Sequence, residues 1–96
     1  MLEPSVDAVE VPQVGVDQAS IRAWMVRYIR QVLNLPEDVD VEAQFDAYGL
    51  DSVEAVIMAG VMEEEFRVVI DPMDMFEHPS IDRFAALLAA RIAEQG

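Results

Sequence analysis

From Asp17 onward the apolar positions take up a helical beat. Ile21, Trp24, Tyr28, Ile29, Val32 and Leu33 recur at three- and four-residue spacing, which puts them on one face, with Arg22, Arg27 and Arg30 largely on the other. Asp17 or Ser20 can cap the start, and Pro36 stops the element near Leu35, so a first helix is expected over roughly 18–34. Residues 35–50 lose the period. Leu35, Val39, Val41, Phe45 and Leu50 are expected to pin a long connection to the core, and Gly49 can supply an unusual backbone angle just before the next element.

A second helix is expected from about Ser52 to Phe66. Asp51 followed by Glu54 forms a D-x-x-E capping box, and Ala55, Met58, Ala59, Met62 and Phe66 make one apolar stripe for the core. Val53, Val56, Ile57 and Gly60 then lie partly outward, bordered by Glu54, Glu63 and Glu64, as a compact docking patch. The segment FRVVIDP ends this helix, and a short turn of helix is plausible at 73–76. A last helix starts after Pro79 with Ser80 as its cap and carries Ile81, Phe84, Leu87, Leu88 and Ile92 inward. The expected fold is all-α: an antiparallel four-helix bundle with a short third helix and a long loop between helices one and two. Residues 1–16, with two Pro, one Gly and valines without helical period, read as a flexible leader or linker, leaving 17–96 as one domain.

Charge narrows what such a bundle can do. Nineteen acidic residues face six basic ones, all Arg, for a net charge of −13. That balance repels phosphate backbones and anionic membrane surfaces, and favours steered association with basic partners. There is no cysteine, so disulfides and thiolate chemistry are absent. No apolar run of about 18 residues exists to span a membrane, and residues 1–16 lack the basic start and apolar block of a signal peptide, so a cytoplasmic location is the default. A chain of 96 residues is too small for a deep pocket and a second domain to close over it, which disfavours a self-sufficient enzyme.

The candidate chemistry centres on Tyr48-Gly49-Leu50-Asp51-Ser52-Val53. With Asp51 as cap, Ser52 is the first helical residue and its hydroxyl faces solvent at a helix N-terminus. A phosphate ester there would meet free backbone N–H groups and the positive end of the helix dipole, opposed by nearby carboxylates. Alone, an Asp-Ser pair marks only a helix start. His78, the single histidine, has no second His or Cys to join it and reads as a structural loop residue; no D-x-D-x-D-G loop points to a calcium site, and no metal is expected.

The combination G-L-D-S-V-E-A, an acidic helix ending M-E-E-E-F, then D-P and F-E-H-P-S-I, resembles the acyl carrier protein family over about residues 17–93. The resemblance implies that Ser52 receives 4′-phosphopantetheine from coenzyme A and that Asp51 assists the attachment. It implies partners too: a phosphopantetheinyl transferase that chelates Mg²⁺, then ketosynthase, acyltransferase or tailoring enzymes with basic docking surfaces reading helix two and the Glu63-Glu64-Glu65 run. Many family members have a charged residue where this chain has Ile57. The pattern Y-G-L-D-S with F-E-H-P-S-I is more similar to polyketide carriers than to primary fatty-acid carriers, or to peptidyl carriers with G-G-[HD]-S. The expected role is that of a non-catalytic, monomeric carrier of acyl thioesters in polyketide or fatty-acid assembly. Two other classes stay open: an acidic helical interaction module that is never modified, and a small hydrolase using Ser52, which lacks a G-x-S-x-G elbow and an evident base.

Overall fold

The structure, a computed structural model, describes residues 16–95. Four helices follow one another: α1 (Gln18–Leu33), α2 (Ser52–Phe66), the short α3 (Pro72–Glu77) and α4 (Ile81–Gln95), with a single 3₁₀ turn at Phe45–Tyr48 inside the long first connection. This is the four-helix bundle expected from the periodicity, and among the described residues there is no strand. Leader residues 1–15 lie outside the described residues; Val16 is half-buried and packs against the core. No described helix is long and apolar enough to cross a membrane.

Each helix begins on a short polar residue whose oxygen takes an otherwise orphaned N–H. Asp17 opens α1 with a full capping box: its Oδ1 accepts from Ser20 N–H at 2.9 Å, while Asp17 N–H donates to Ser20 Oγ at 3.0 Å. The Ser20 N–H also lowers the pKa of the Asp17 carboxyl below its ordinary value. Asp71 accepts from Met73 N–H at 3.0 Å to start α3, with Pro72 in the first turn. Ser80 Oγ accepts from Arg83 N–H at 3.2 Å to start α4. Asn34 and Arg67 close α1 and α2 in the left-handed conformation, at φ 56° and 57°.

The core gathers one face of every helix. In α1 the fully buried residues are Ile21, Met25 and Ile29, four residues apart. Trp24 and Tyr28 flank them, stacked on each other at 5.1 Å, and Trp24 meets Phe66 edge-on at 5.7 Å. The buried line therefore includes Met25, and Val32, expected inside, is 40% exposed. The large aromatic rings of Trp24 and Tyr28 occupy the flank of the stripe, and Val32 lies at the C-terminal end of α1. In α2, Ala55, Met58, Ala59 and Met62 are buried as expected, with Phe66 half-buried; in α4, Ile81, Phe84, Ala85 and Leu88 are buried, with Leu87 and Ile92 at the margin.

The short α3 has too few residues to hold itself together. Met75 plugs it into the core, and Asp74, 7% exposed, is fixed by both Nη atoms of Arg91 on α4, one of them at 3.1 Å. Arg91, donating to that carboxylate, holds the Asp74 carboxyl below the usual carboxylate range against the opposing effect of burial.

Candidate functional site at the start of the second helix

The presentation of Ser52 is built by the segment before it. Phe45 is buried and begins the 3₁₀ turn, and its N–H donates to Pro79 O at 2.8 Å. Asp82 N–H donates to Val41 O at 2.9 Å, so the connection is stitched at two points to the start of α4. Gly49 then reverses the chain at φ 98°, a conformation that costs a residue with a Cβ even though the space around it is open. Leu50, 2% exposed, drops back into the core and its N–H donates to Phe45 O at 3.1 Å. With Leu50 held inside, Asp51 and Ser52 are turned outward.

Asp51 is extended at φ −85°, ψ 179°, and its Oδ1 accepts from Glu54 N–H at 2.9 Å. The cap is one-sided. The return bond expected of a D-x-x-E box is not formed, and the Glu54 carboxylate lies near enough to Tyr28 to add to the effect of burial in raising the tyrosine pKa. Ser52 is the first residue of α2 and is exposed; its hydroxyl is engaged by no hydrogen bond within the described structure. The N–H groups of Ser52 and Val53 are first-turn donors without intrahelical acceptors, so an anionic ester on Ser52 would find two donors and the helix dipole beside it.

Next to Ser52 a cleft of about 210 Å³ runs in between the 3₁₀ turn and α3, with Leu50, Ala55, Met75, Phe76 and Pro79 among its walls. The residues therefore fit a phosphopantetheine group: an uncovered hydroxyl, local donors for a phosphodiester, and an apolar recess alongside. No side chain is hydrogen-bonded to Ser52 as a base, and half-buried His78 serves as the C-cap of α3. No cluster of three metal-binding side chains occurs among the described residues.

Val53, Val56, Ile57 and Gly60 all emerge on the outer side of α2, with Val53 65% and Ile57 49% exposed, and Val61 joins them. The outward patch expected at these positions is present. Glu64 is exposed to solvent, whereas Glu63 is half-buried and its Oε2 accepts from Ile70 N–H at 2.7 Å, closing the α2–α3 connection. Sequence reading missed this structural duty of Glu63, because the acceptor is needed by a backbone N–H seven residues away that no local pattern marks. It also missed the recess beside Ser52, whose walls come from three separate segments.

The comparisons with known proteins agree with this geometry. The family described as "Phosphopantetheine attachment site" matches residues 23–88. A phenolphthiocerol/phthiocerol polyketide synthase of Mycobacterium tuberculosis is 34% identical over 76 residues, 76% of this chain and 4% of that protein. Polyketide synthase PksN of Bacillus subtilis is 32% identical over 70 residues, 72% of this chain and 1% of that protein. The chain thus spans only a few per cent of the length of these relatives. Among solved structures, a free-standing peptidyl carrier protein from a secondary metabolic pathway of Acinetobacter baumannii superposes with a TM-score of 0.73 at 26% identity, covering 79% of this chain and 96% of that one. This chain belongs to the phosphopantetheine attachment site family, whose members carry 4′-phosphopantetheine bound covalently.

Proposed function

We propose that Ser52 is the attachment residue and that the domain carries acyl intermediates of polyketide assembly as thioesters. The observation that carries this reading is the exposed, unengaged Ser52 hydroxyl at the first position of α2, beside a capping Asp51 and an apolar recess. Attachment makes one bond from Ser52 Oγ to phosphorus and breaks the link to the nucleotide half of coenzyme A; the hydroxyl proton leaves to a base on the transferase. Asp51, next to the hydroxyl, is placed to assist the transferase and its Mg²⁺. Once bound, the group supplies a thiol that holds the acyl chain as an activated thioester. The chain's own part is address and tether: a fixed pivot at Ser52 and a surface along α2, which raise the local concentration of substrate at partner active sites without catalysis.

The partners of this reading are a phosphopantetheinyl transferase, then ketosynthase, acyltransferase or tailoring enzymes that dock on Val53, Glu54, Val56, Ile57, Gly60 and Glu64. A peptidyl role is the second reading, favoured by the superposition on a peptidyl carrier protein. Intact mass measurement after incubation with coenzyme A and a broad-specificity transferase tests the site. The native chain gains one phosphopantetheinyl group and Ser52→Ala gains none; equal gain by both moves the site elsewhere. Offering the loaded domain to acyltransferases and to amino-acid-activating enzymes then separates the two roles by which group appears on the thiol.

A further inference from the structure

α2 holds a residue that nothing inside the domain explains. Gly60 stands in the interior of the helix, eight residues after Ser52 and six before Phe66. Glycine is the poorest helix former except proline. The two usual reasons for a glycine are both missing. Gly49 is the only glycine at positive φ among the described residues, so Gly60 sits in ordinary helical geometry that any residue adopts. No neighbour crowds it either, because a Cβ at this position meets nothing within 4 Å. Gly60 is open to solvent, and Val53, Val56, Ile57 and Val61 around it are exposed as well. Val56 and Ile57 lie one turn before it on the same side, and Glu64 one turn after. A side chain at position 60 would lean back over the Val56–Ile57 turn. Without one, bare helix backbone forms the floor of a notch walled by those two side chains.

We propose that this notch receives one large apolar side chain, of Leu or Phe size, from the enzyme that charges the carrier's thiol. Gly60 is then a specificity-determining residue, and the inference rests on the carrier reading above. Three observations select this occupant. The walls are apolar, so a polar group seated there would lose its water and gain no hydrogen-bond partner. The surround is acidic: Glu64 and Glu65 are exposed, and neither they nor Glu54 form an ion pair among the described residues. An apolar knob ringed by Lys or Arg matches both features, whereas an acidic surface is turned away by the net charge of −13. The placement agrees as well. Eight residues of helix put Gly60 about 12 Å along the axis from Ser52. A standard interface covers about 800 Å² on each partner, wide enough to span the pivot and the notch together.

Size and polarity at position 60 separate a notch from a merely apolar patch. Native chain, Gly60→Ala, Gly60→Leu and Gly60→Gln are each converted with excess coenzyme A and a broad-specificity transferase, and intact mass confirms the conversion. Charging of the thiol is then followed by mass, using the acyltransferase or amino-acid-activating enzyme that loads the native domain. Filling the notch is expected to raise KM about tenfold for both Gly60→Leu and Gly60→Gln. Gly60→Ala fills less of it and raises KM about two- to threefold. In every variant kcat stays within about twofold, because Ser52 and the thiol are untouched and only binding is lost. Thermal melting followed by circular dichroism shows Gly60→Ala at least as stable as the native chain, so its higher KM does not come from unfolding. An unchanged or lowered KM for Gly60→Leu would overturn the inference, since a flat apolar patch binds better when apolar surface is added. A rise confined to Gly60→Gln would overturn it too. A native chain that gains no arm, or that no such enzyme charges, defeats the carrier reading itself; a native chain charged with the same KM as all three variants defeats the notch alone.

Discussion

Two serines stand at two helix starts, and the molecule treats them oppositely. Ser80 is the cap of α4: it is 3% exposed and its hydroxyl is spent on Arg83 N–H. Ser52 is one position further into α2, behind a capping Asp51, and its hydroxyl is exposed and unengaged. The difference is the residue before. Where aspartate takes the capping duty, the serine that follows is released for chemistry; where proline precedes, the serine must cap and is lost to solvent. A helix start offers a reactive hydroxyl only when something else satisfies its backbone.

The largest effect expected from this contrast is all-or-none. Ser52→Ala should abolish phosphopantetheine attachment in the mass assay, while changing thermal stability by less than about 0.5 kcal/mol. Ser80→Ala should be modified normally. Next in size comes the brace between α3 and α4. Asp74→Ala removes the acceptor for Arg91, a charged hydrogen bond of about 2 kcal/mol, read by chemical denaturation; Arg91 is 37% exposed and recovers water, which limits the loss. The pH dependence has a definite sign. The folded carboxyl of Asp74 is depressed below its unfolded value of about 3.9, so its stabilising effect is complete above that value and disappears as pH falls through the lower folded one. Asp74→Asn should therefore lose stability at neutral pH yet show a shallower decline below about pH 4.

Asp51→Ala and Ser80→Ala each remove a cap and should cost about 1 kcal/mol in denaturant titrations. If Asp51→Ala cost nothing, the aspartate would not be what frees Ser52. Gly60→Ala should act the other way, because a Cβ there meets nothing within 4 Å in the middle of a helix; a gain of about 0.5–1 kcal/mol is expected. The smallest stability change belongs to Ile57→Glu, less than about 0.5 kcal/mol at an exposed position. Its reading is functional: transfer to or from a partner enzyme should fall while attachment at Ser52 is unchanged.

The helices were legible because each carries a local signal. Asp51-Ser52 and Pro79-Ser80 mark starts within two residues, and the α2 stripe at Ala55, Met58, Ala59 and Met62 follows from spacing alone. What escaped depended on neighbours far along the chain. Met25 is buried with Ile21 and Ile29, Val32 near the end of α1 is 40% exposed, and Trp24 meets Phe66, forty-two positions on, a contact that no local pattern marks. The 3₁₀ turn at Phe45–Tyr48 is tied to Pro79, whose O accepts from Phe45 N–H and which also lines the recess beside Ser52. The exposed serine itself was readable, since cap and first helical residue are adjacent; the bond from Ile70 N–H to Glu63 was not.

That stitching also orders the protein's birth. The connection that aims Ser52 outward is fastened by Phe45 to Pro79 and by Val41 to Asp82. A chain emerging from the ribosome N-terminus first has the serine in hand long before it has those fasteners. Ser52 takes its final attitude only after residues 79–82 are made, so on the proposed function a transferase that reads the folded shape would load finished domains and pass over half-built ones.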